Sequence, residues 1–460
     1  MFAIPGLALL IAFMYLRPQE YYTFLQRAPL LYIFFAMAVG GLAIDLKLRL
    51  VKPLPAKTLI IATGFLAWMI VVAILKVPGP MVVGKLLPFI IVYVTFVTMC
   101  QSVQSFRALN FLAGTLLVVG MSLAFVGAHL AQAPYQCIAS ENLHMGVGVP
   151  DGRTCETPAD CYGVDGEPGQ LYTCERVGIM GVMAIKDRVR YRGELQDPNE
   201  LALAVSSVLA LSFVLVGLKG GAGYWFLALF ATVVIFQCVV GTQSRGGQLA
   251  FLGVFGIYFV KRYGVKYIFV GVLALLPLMA VSGGRSGSSA NQSTMERYEA
   301  WSSGVSMFKM DPIFGVGKGM FTEYHHLTAH NSYILVPAEM GFLGMILWAS
   351  MLYLGIKTAV VVLRDFKHDP RAGPARTWAW GILGMTAPYC VQMMFLSLAY
   401  HTMTWVYFGM CGAFYSAVKH HAPDWELKFD LKDIAYVIAG CIGFIILLVF
   451  QVTRKGFPPG

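Results

Sequence analysis

The sequence predicts an all-α polytopic membrane protein of about 12–13 transmembrane helices with two long outer loops. Three observations predict it. Apolar residues make up 57% of the 460-residue chain and charged residues 13%, with a mean hydropathy of +0.67. A soluble domain averages about 45–50% apolar and about 25% charged. Runs of the roughly 20 apolar residues that a spanning helix needs recur along the whole length. Basic residues are dense in every second connection between the runs and sparse in the others.

Thirteen such runs begin near residues 2, 29, 58, 85, 108, 198, 223, 245, 265, 331, 377, 399 and 433. The first sixteen residues lack the basic start and small-residue cleavage site of a signal peptide, so they read as a retained helix. With the N-terminus inside, the short inner connections carry seventeen lysines and arginines, among them Lys47, Lys261, Arg262, Arg364 and Lys419. The short outer ones carry only Arg17, Arg27, Lys76, Lys85 and Arg245. By the positive-inside rule that asymmetry orients the chain. The net charge of +10 is then loop charge holding topology; without RNP-like or zinc-finger spacings it calls for no nucleic acid. The chain divides into helices over 1–133, a loop over 134–197, helices over 198–282, a loop over 283–330 and helices over 331–460.

The first outer loop breaks the composition. Its stretch CIASENLHMGVGVPDGRTCETPADCYGVDGEPGQLYTC is rich in Gly, Pro, Asp and Cys, with little apolar periodicity. Of nine cysteines, Cys137, Cys155, Cys161 and Cys174 lie here and the other five in expected helices. Clustered cysteines on the oxidising side of a membrane point to two disulfides, in one of three pairings. Zinc is the competing use, but the spacings contain no C-x2-4-C pair. DCYGVDGEPG lacks the ligand spacing of a calcium loop, so no metal site is expected.

The second outer loop carries one amphipathic helix. Ser293 and Glu296 fit a capping box, and Met295, Tyr298, Trp301, Val305 and Phe308 then form an apolar stripe that Asp311-Pro312 ends. Such a helix lies on the membrane surface or packs on the bundle. GVGKG at 315–319 is shaped like a phosphate-cradling loop but lacks the Walker spacing and its Ser/Thr, so it reads as a flexible loop.

Three helices start at the outer face with polar residues. In YRGELQDPNELALAV, Asp197 fits the N-cap, Pro198 the first turn and Glu200 the reciprocal cap position, with Arg192 just upstream and Asn199 beside the cap. In GTQSRGGQLAFL, Ser244 caps and Arg245 stands in the first turn. In TAHNSYILVPAEMGFLG, Thr328 or Asn331 caps, with His330 and Tyr333 alongside. A helix N-terminus carries about half a positive charge and unpaired N–H groups. Arginine there opposes the dipole unless an anion joins them, which points to a phosphate or pyrophosphate site. Taken singly, Arg245 would equally serve as a headgroup anchor, and His330 as an interfacial hydrogen-bonding anchor. His325, His326, His401, His420 and His421 have weaker cases. No D-x-D pair lies near these starts, against a metal-dependent nucleotide-sugar transferase. A lipid-linked sugar transporter would show repeat symmetry and broken helices at the midplane, whereas the polar residues here collect at one face.

RGELQDPNELA, GTQSRGG and DPIFGVGKGMF…TAHNSYILVPAEMGFLG, in this order, resemble the bacterial O-antigen ligase and polymerase superfamily over roughly residues 190 to 345. The resemblance implies a metal-independent glycosyltransferase of the GT-C type without cofactor, set in the bacterial inner membrane with its site facing the periplasm. It implies a donor glycan on undecaprenyl pyrophosphate and an acceptor hydroxyl on lipid A core, another glycan or a protein. Arg192 and Arg245 match the family's pyrophosphate-binding arginines and His330 its proposed base, with Asn199, Ser244, Asn331 and Tyr333 in support. A polymerase shares this chemistry and differs in using a second lipid-linked glycan as acceptor. One feature departs from the pattern: the family's largest periplasmic loop commonly precedes the histidine helix, while here a cysteine-rich loop about as long precedes Arg192.

Overall fold

The computed structural model describes residues 2–142, 147–163, 166–167, 169–267, 269–271 and 288–457. Helices α1 (Ala3–Leu16), α2 (Leu30–Lys47), α3 (Lys57–Lys76), α4 (Gly79–Ser102) and α5 (Phe106–Leu130) precede a three-stranded sheet. After the sheet come α6 (Pro198–Lys219), α7 (Ala222–Gly241), α8 (Arg245–Tyr263) and α9 (Ser288–Met310). The chain ends with α10 (Ser332–Asp365), α11 (Gly373–Gln392), α12 (Thr402–His421) and α13 (Leu431–Arg454). Eight helices among the described residues, α2 to α7 with α10 and α13, are long and apolar enough to cross a membrane. The chain is an all-α polytopic membrane protein. Apolar α1 has only 14 residues, and the run expected near residue 265 lies mostly outside the described residues, as does the 282/283 boundary.

The chain forms two compact units. One comprises Met1–Ala8, Ile33–Ala113 and Arg285–Gly460. In it α3 packs on α10, and α4 on α12, where the buried Trp405 ring meets Phe89 edge-on at 4.9 Å and Phe96 at 5.3 Å. Helix α9 packs on α10 and α13, with Tyr298 stacked on Phe457. Its buried face is Ala300, Gly304, Val305 and Met307, whereas Met295 is exposed. The expected capping box is corrected: Ser293 lies inside α9, which is already helical at Ser288. Its end at Met310, before Asp311-Pro312, is as expected.

The other unit comprises Leu9–Tyr32 and Gly114–Gly284. Its centre is α6, buried on all sides over Leu201–Leu211 and flanked by α7 and α8. A helix apolar all round has no solvent face to offer, so it takes the middle of a bundle. Helices α6 and α8 stop at Gly220 (φ 67°) and Gly264 (φ 90°), where the chain turns through a conformation that side chains disfavour.

The cysteine-rich loop, for all its lack of apolar periodicity, is a small antiparallel sheet of order β2-β1-β3: β1 Tyr135–Asn142, β2 Val147–Thr154 and β3 Leu171–Arg176. Tyr135, Cys137 and Ala139 alternate onto one face of β1, and Tyr172 with Cys174 meets them from β3. Two disulfides fill that face, Cys137–Cys161 and Cys155–Cys174. Cys137 and Cys174 are register partners across β1 and β3, yet each bonds elsewhere, tying β1 to the turn at 158–162 and β3 to the end of β2. Each closes a loop of 24 or 19 residues, worth about 3 kcal/mol in the chain-entropy account. Four side chains thus replace a hydrophobic core too small to stand alone.

Candidate functional site

At each of the three polar helix starts the expected N-cap residue accepts from a first-turn amide. Asp197 accepts from the Asn199 amide at 2.7 Å at the head of α6. Ser244 accepts from the Gly247 amide at 2.9 Å at the head of α8. Asn331 accepts from the Tyr333 amide at 2.9 Å at the head of α10. Side-chain caps satisfy one of the unpaired first-turn N–H groups and leave others for a ligand.

Two of these heads lie in the unit built on α6, and they are joined. The Ser244 hydroxyl donates to Asn199 Oδ1 at 2.5 Å, so the caps of α6 and α8 share one buried hydrogen-bond relay. Arg188 reaches the same oxygen at 3.5 Å and donates through Nε to the Thr242 carbonyl at 2.9 Å. Arg245 opens α8 beside this relay with its side chain exposed. Arg192 is placed differently: its guanidinium donates to the carbonyls of Met180 (2.7 Å), Gly181 (2.6 Å) and Glu20 (3.4 Å), and lies 5.8 Å over the Tyr21 ring. Between them Arg190 is buried and donates to Met183. Burial pushes its pKa down, against the pull of Glu175. Arg188 was missed in the sequence; as Arg188, Arg190 and Arg192 alternate along an extended stretch, that spacing was the available signal.

The third head lies in the other unit, and the chain there is held tightly. His330 is half-buried with φ 46°, a left-handed conformation uncommon outside glycine. Such a residue costs of order 1–3 kcal/mol and persists only where its surroundings impose it. They do. Trp301 of α9 donates to the Ala329 carbonyl at 3.0 Å, and Thr328 pairs with Ser397 at 2.9 Å. Ser332 accepts from the Leu398 amide and donates to the Leu396 carbonyl, both at 2.7 Å, while its own amide donates to Met393. The Tyr333 hydroxyl donates to the Cys390 carbonyl at 3.2 Å. His330 therefore projects from a segment fixed on both sides by α9 and the α11–α12 connection. His401 has a structural task, capping α12 through Nδ1.

GVGKG is no flexible loop. Helix α10 breaks at Gly341 (φ 66°, ψ −171°), one turn after Pro337. The freed carbonyls of Ala338 and Glu339 accept from the amides of Val316 and Gly317 at 2.9 Å each, and the Met340 carbonyl accepts from Trp68 at 2.9 Å. Gly315, Gly317 and Gly319 all take positive φ to follow this path. The Glu339 side chain, 2% exposed, accepts from the Phe321 amide at 3.1 Å. Lys318 donates to the Lys85 carbonyl and Lys85 to the Gly319 carbonyl, both at 2.7 Å. Burial lowers the pKa of the Lys318 ammonium against the pull of Glu339, with Lys85 lowering it further. At the loop's start a 2.5 Å ion pair with Lys76 holds the Asp311 carboxyl below its usual range.

Residues 230–349 match the family model described as O-antigen ligase. This part of the chain therefore resembles the O-antigen ligase family. It runs from α7 through α8 and α9 into α10 beyond its break, so it contains Ser244, Arg245, His330, Asn331, Tyr333 and Glu339. Arg192 and Asn199 lie upstream of the matched residues. No curated protein sequence matches the chain. Its spanning helices make the chain a multi-pass membrane protein, and the matched stretch is what is similar to O-antigen ligases.

Proposed function

We propose that the chain moves a glycan from undecaprenyl pyrophosphate to an acceptor hydroxyl at the periplasmic face of the bacterial inner membrane. The observation that supports this reading most directly is an exposed arginine in the first turn of a capped helix within the matched stretch. Helix dipole and guanidinium there carry the same sign, an arrangement stabilised by an anion. Pyrophosphate leaves the anomeric carbon with the bonding electron pair, and the charge that develops is what Arg245 and the α8 amides would stabilise. The acceptor oxygen forms the new bond from the opposite side, inverting the anomeric centre, and its proton passes to the His330 ring. A fixed backbone around His330 serves that task, since a base must hold its place within hydrogen-bond reach. Arg192 and Asn199 belong to the donor part of the reaction, and Asn331 and Tyr333 to the mounting of His330.

The break in α10 is a feature that transporters share. Its carbonyls, however, are closed by the chain's own amides and by Trp68, not turned toward a passing ion. Ligase and polymerase are separated by deletion in the host. Accumulation of free lipid-linked long chains supports the ligase; loss of long chains with single repeats still attached supports the polymerase. Unchanged surface glycans would sink both.

A further inference from the structure

A cavity of about 540 Å³ opens in the unit built on α6, where the ends of α5 and α7 meet the disulfide-bonded sheet. Ligand sites commonly enclose about 300–1,000 Å³. Its polar lining is three glutamines, Gln132, Gln237 and Gln243, with the pair Arg176 and Asp187; Phe236 supplies an aromatic wall. The charges cancel within the wall. Arg176 Nε donates to Asp187 Oδ1 at 3.0 Å, the Tyr135 hydroxyl donates to the same oxygen at 2.7 Å, and Arg176 also donates to the Ala133 carbonyl. An anionic ligand would find no spare cation among these lining groups.

The amides are different. Gln243 donates to the Asp187 carbonyl at 3.2 Å and keeps its side-chain oxygen open. Gln132 and Gln237 make no side-chain hydrogen bond among the described residues. A primary amide offers two donors and an acceptor in one plane, which suits a ligand whose groups both donate and accept. Sugar hydroxyls do both. Phe236, packed on Phe251 at 5.6 Å, presents a ring to the apolar face of a pyranose. The cavity wall is also registered to the head of α8. The Val189 amide donates to the Gly241 carbonyl, Arg188 to Thr242, and Gln243 immediately precedes the Ser244 cap.

We infer that this cavity is a subsite for the uncharged, hydroxyl-rich part of a glycan, formed jointly by the sheet and the end of α7. The inference rests on the glycosyltransferase reading for the identity of that glycan, which either the lipid-linked donor or the acceptor could contribute. The test uses the full chain in nanodiscs and the host's own glycan, released from its lipid by mild acid. Saturation-transfer NMR should detect binding to the wild type. Gln237→Ala/Gln243→Ala should weaken it about tenfold or more, the loss of two neutral hydrogen bonds, with unchanged thermal unfolding. Phe236→Leu, which keeps the wall apolar, should weaken binding too. Arg245→Ala should bind the free glycan as the wild type does, because no phosphate is present. In transfer assays, a raised KM for lipid-linked donor in the double variant identifies the donor glycan as occupant, and a raised KM for acceptor identifies the acceptor. No binding to the wild type, or equal binding to wild type and both cavity variants, overturns the subsite. Glycan binding by a wild type that performs no transfer would leave the subsite standing and remove the proposed reaction.

Discussion

Arg245 carries a fixed positive charge where the peptide dipoles of α8 already present one. If a pyrophosphate binds there, geometry matters beyond charge. Arg245→Lys should lower transfer by about 10- to 100-fold, since an ammonium cannot make the two-pronged contact to phosphate oxygens. Transfer at the wild-type rate would return Arg245 to the role of a headgroup anchor. His330→Ala should lower turnover by about 10²–10⁴-fold, the usual span of general-base catalysis, while donor affinity measured in the same folded protein stays within error. Arg192→Ala is expected to act on donor affinity first. Because its guanidinium holds three main-chain carbonyls, thermal unfolding must be recorded beside it, and Arg188→Ala makes the matching comparison at the Asn199 relay. At this scale the sequence was legible wherever a residue acts within three positions of itself. Asp197, Ser244 and Asn331 cap as read because a cap is a local hydrogen bond. Arg188 and Glu339 escaped because their partners lie 54 and 18 residues away.

Among elements, the broken helix and the sheet depart furthest from the sequence reading, for one reason. An apolar run reports that a segment is buried, not that its hydrogen bonds are continuous. HNSYILVPAEMGFLG reads as one span, yet Pro337 removes a donor and Gly341 turns the chain so that the Val316 and Gly317 amides supply replacements. Gly341→Ala puts a Cβ onto the Ile313 carbonyl at a left-handed φ. It should lower the thermal midpoint of the purified protein, at a cost of about 1–3 kcal/mol; an unchanged midpoint would show that the break is not held by this loop. In the sheet, the alternation of Tyr135, Cys137 and Ala139 was a strand signal masked by surrounding Gly, Pro and Asp. Non-reduced peptide mapping should recover Cys137 with Cys161 and Cys155 with Cys174. Free thiols at all four, in protein isolated without reductant, would refute the pairing.

For the whole molecule, helix starts near residues 3, 30, 57, 106, 198, 222, 245 and 332 fall within two positions of those read from apolar periodicity. Spans are legible because bilayer thickness sets a length that any apolar run must meet. Sidedness rests on a different quantity, the distribution of lysine and arginine, and it determines which solution the heads of α8 and α10 meet. It can be measured directly. The five cysteines outside the disulfides are buried or half-buried, so added thiols will report above a low background. Thr322→Cys lies on the exposed segment before His330, and Lys367→Cys on the exposed turn after α10. One full span of 34 residues, α10, separates the two sites, so a membrane-impermeant maleimide added to intact spheroplasts should label Cys at 322 and not at 367, and permeabilised cells should label both. The reverse pattern would place the head of α10, with His330, in the cytoplasm and remove the periplasmic acceptor. Labelling of both before permeabilisation would show that α10, despite its length, does not cross.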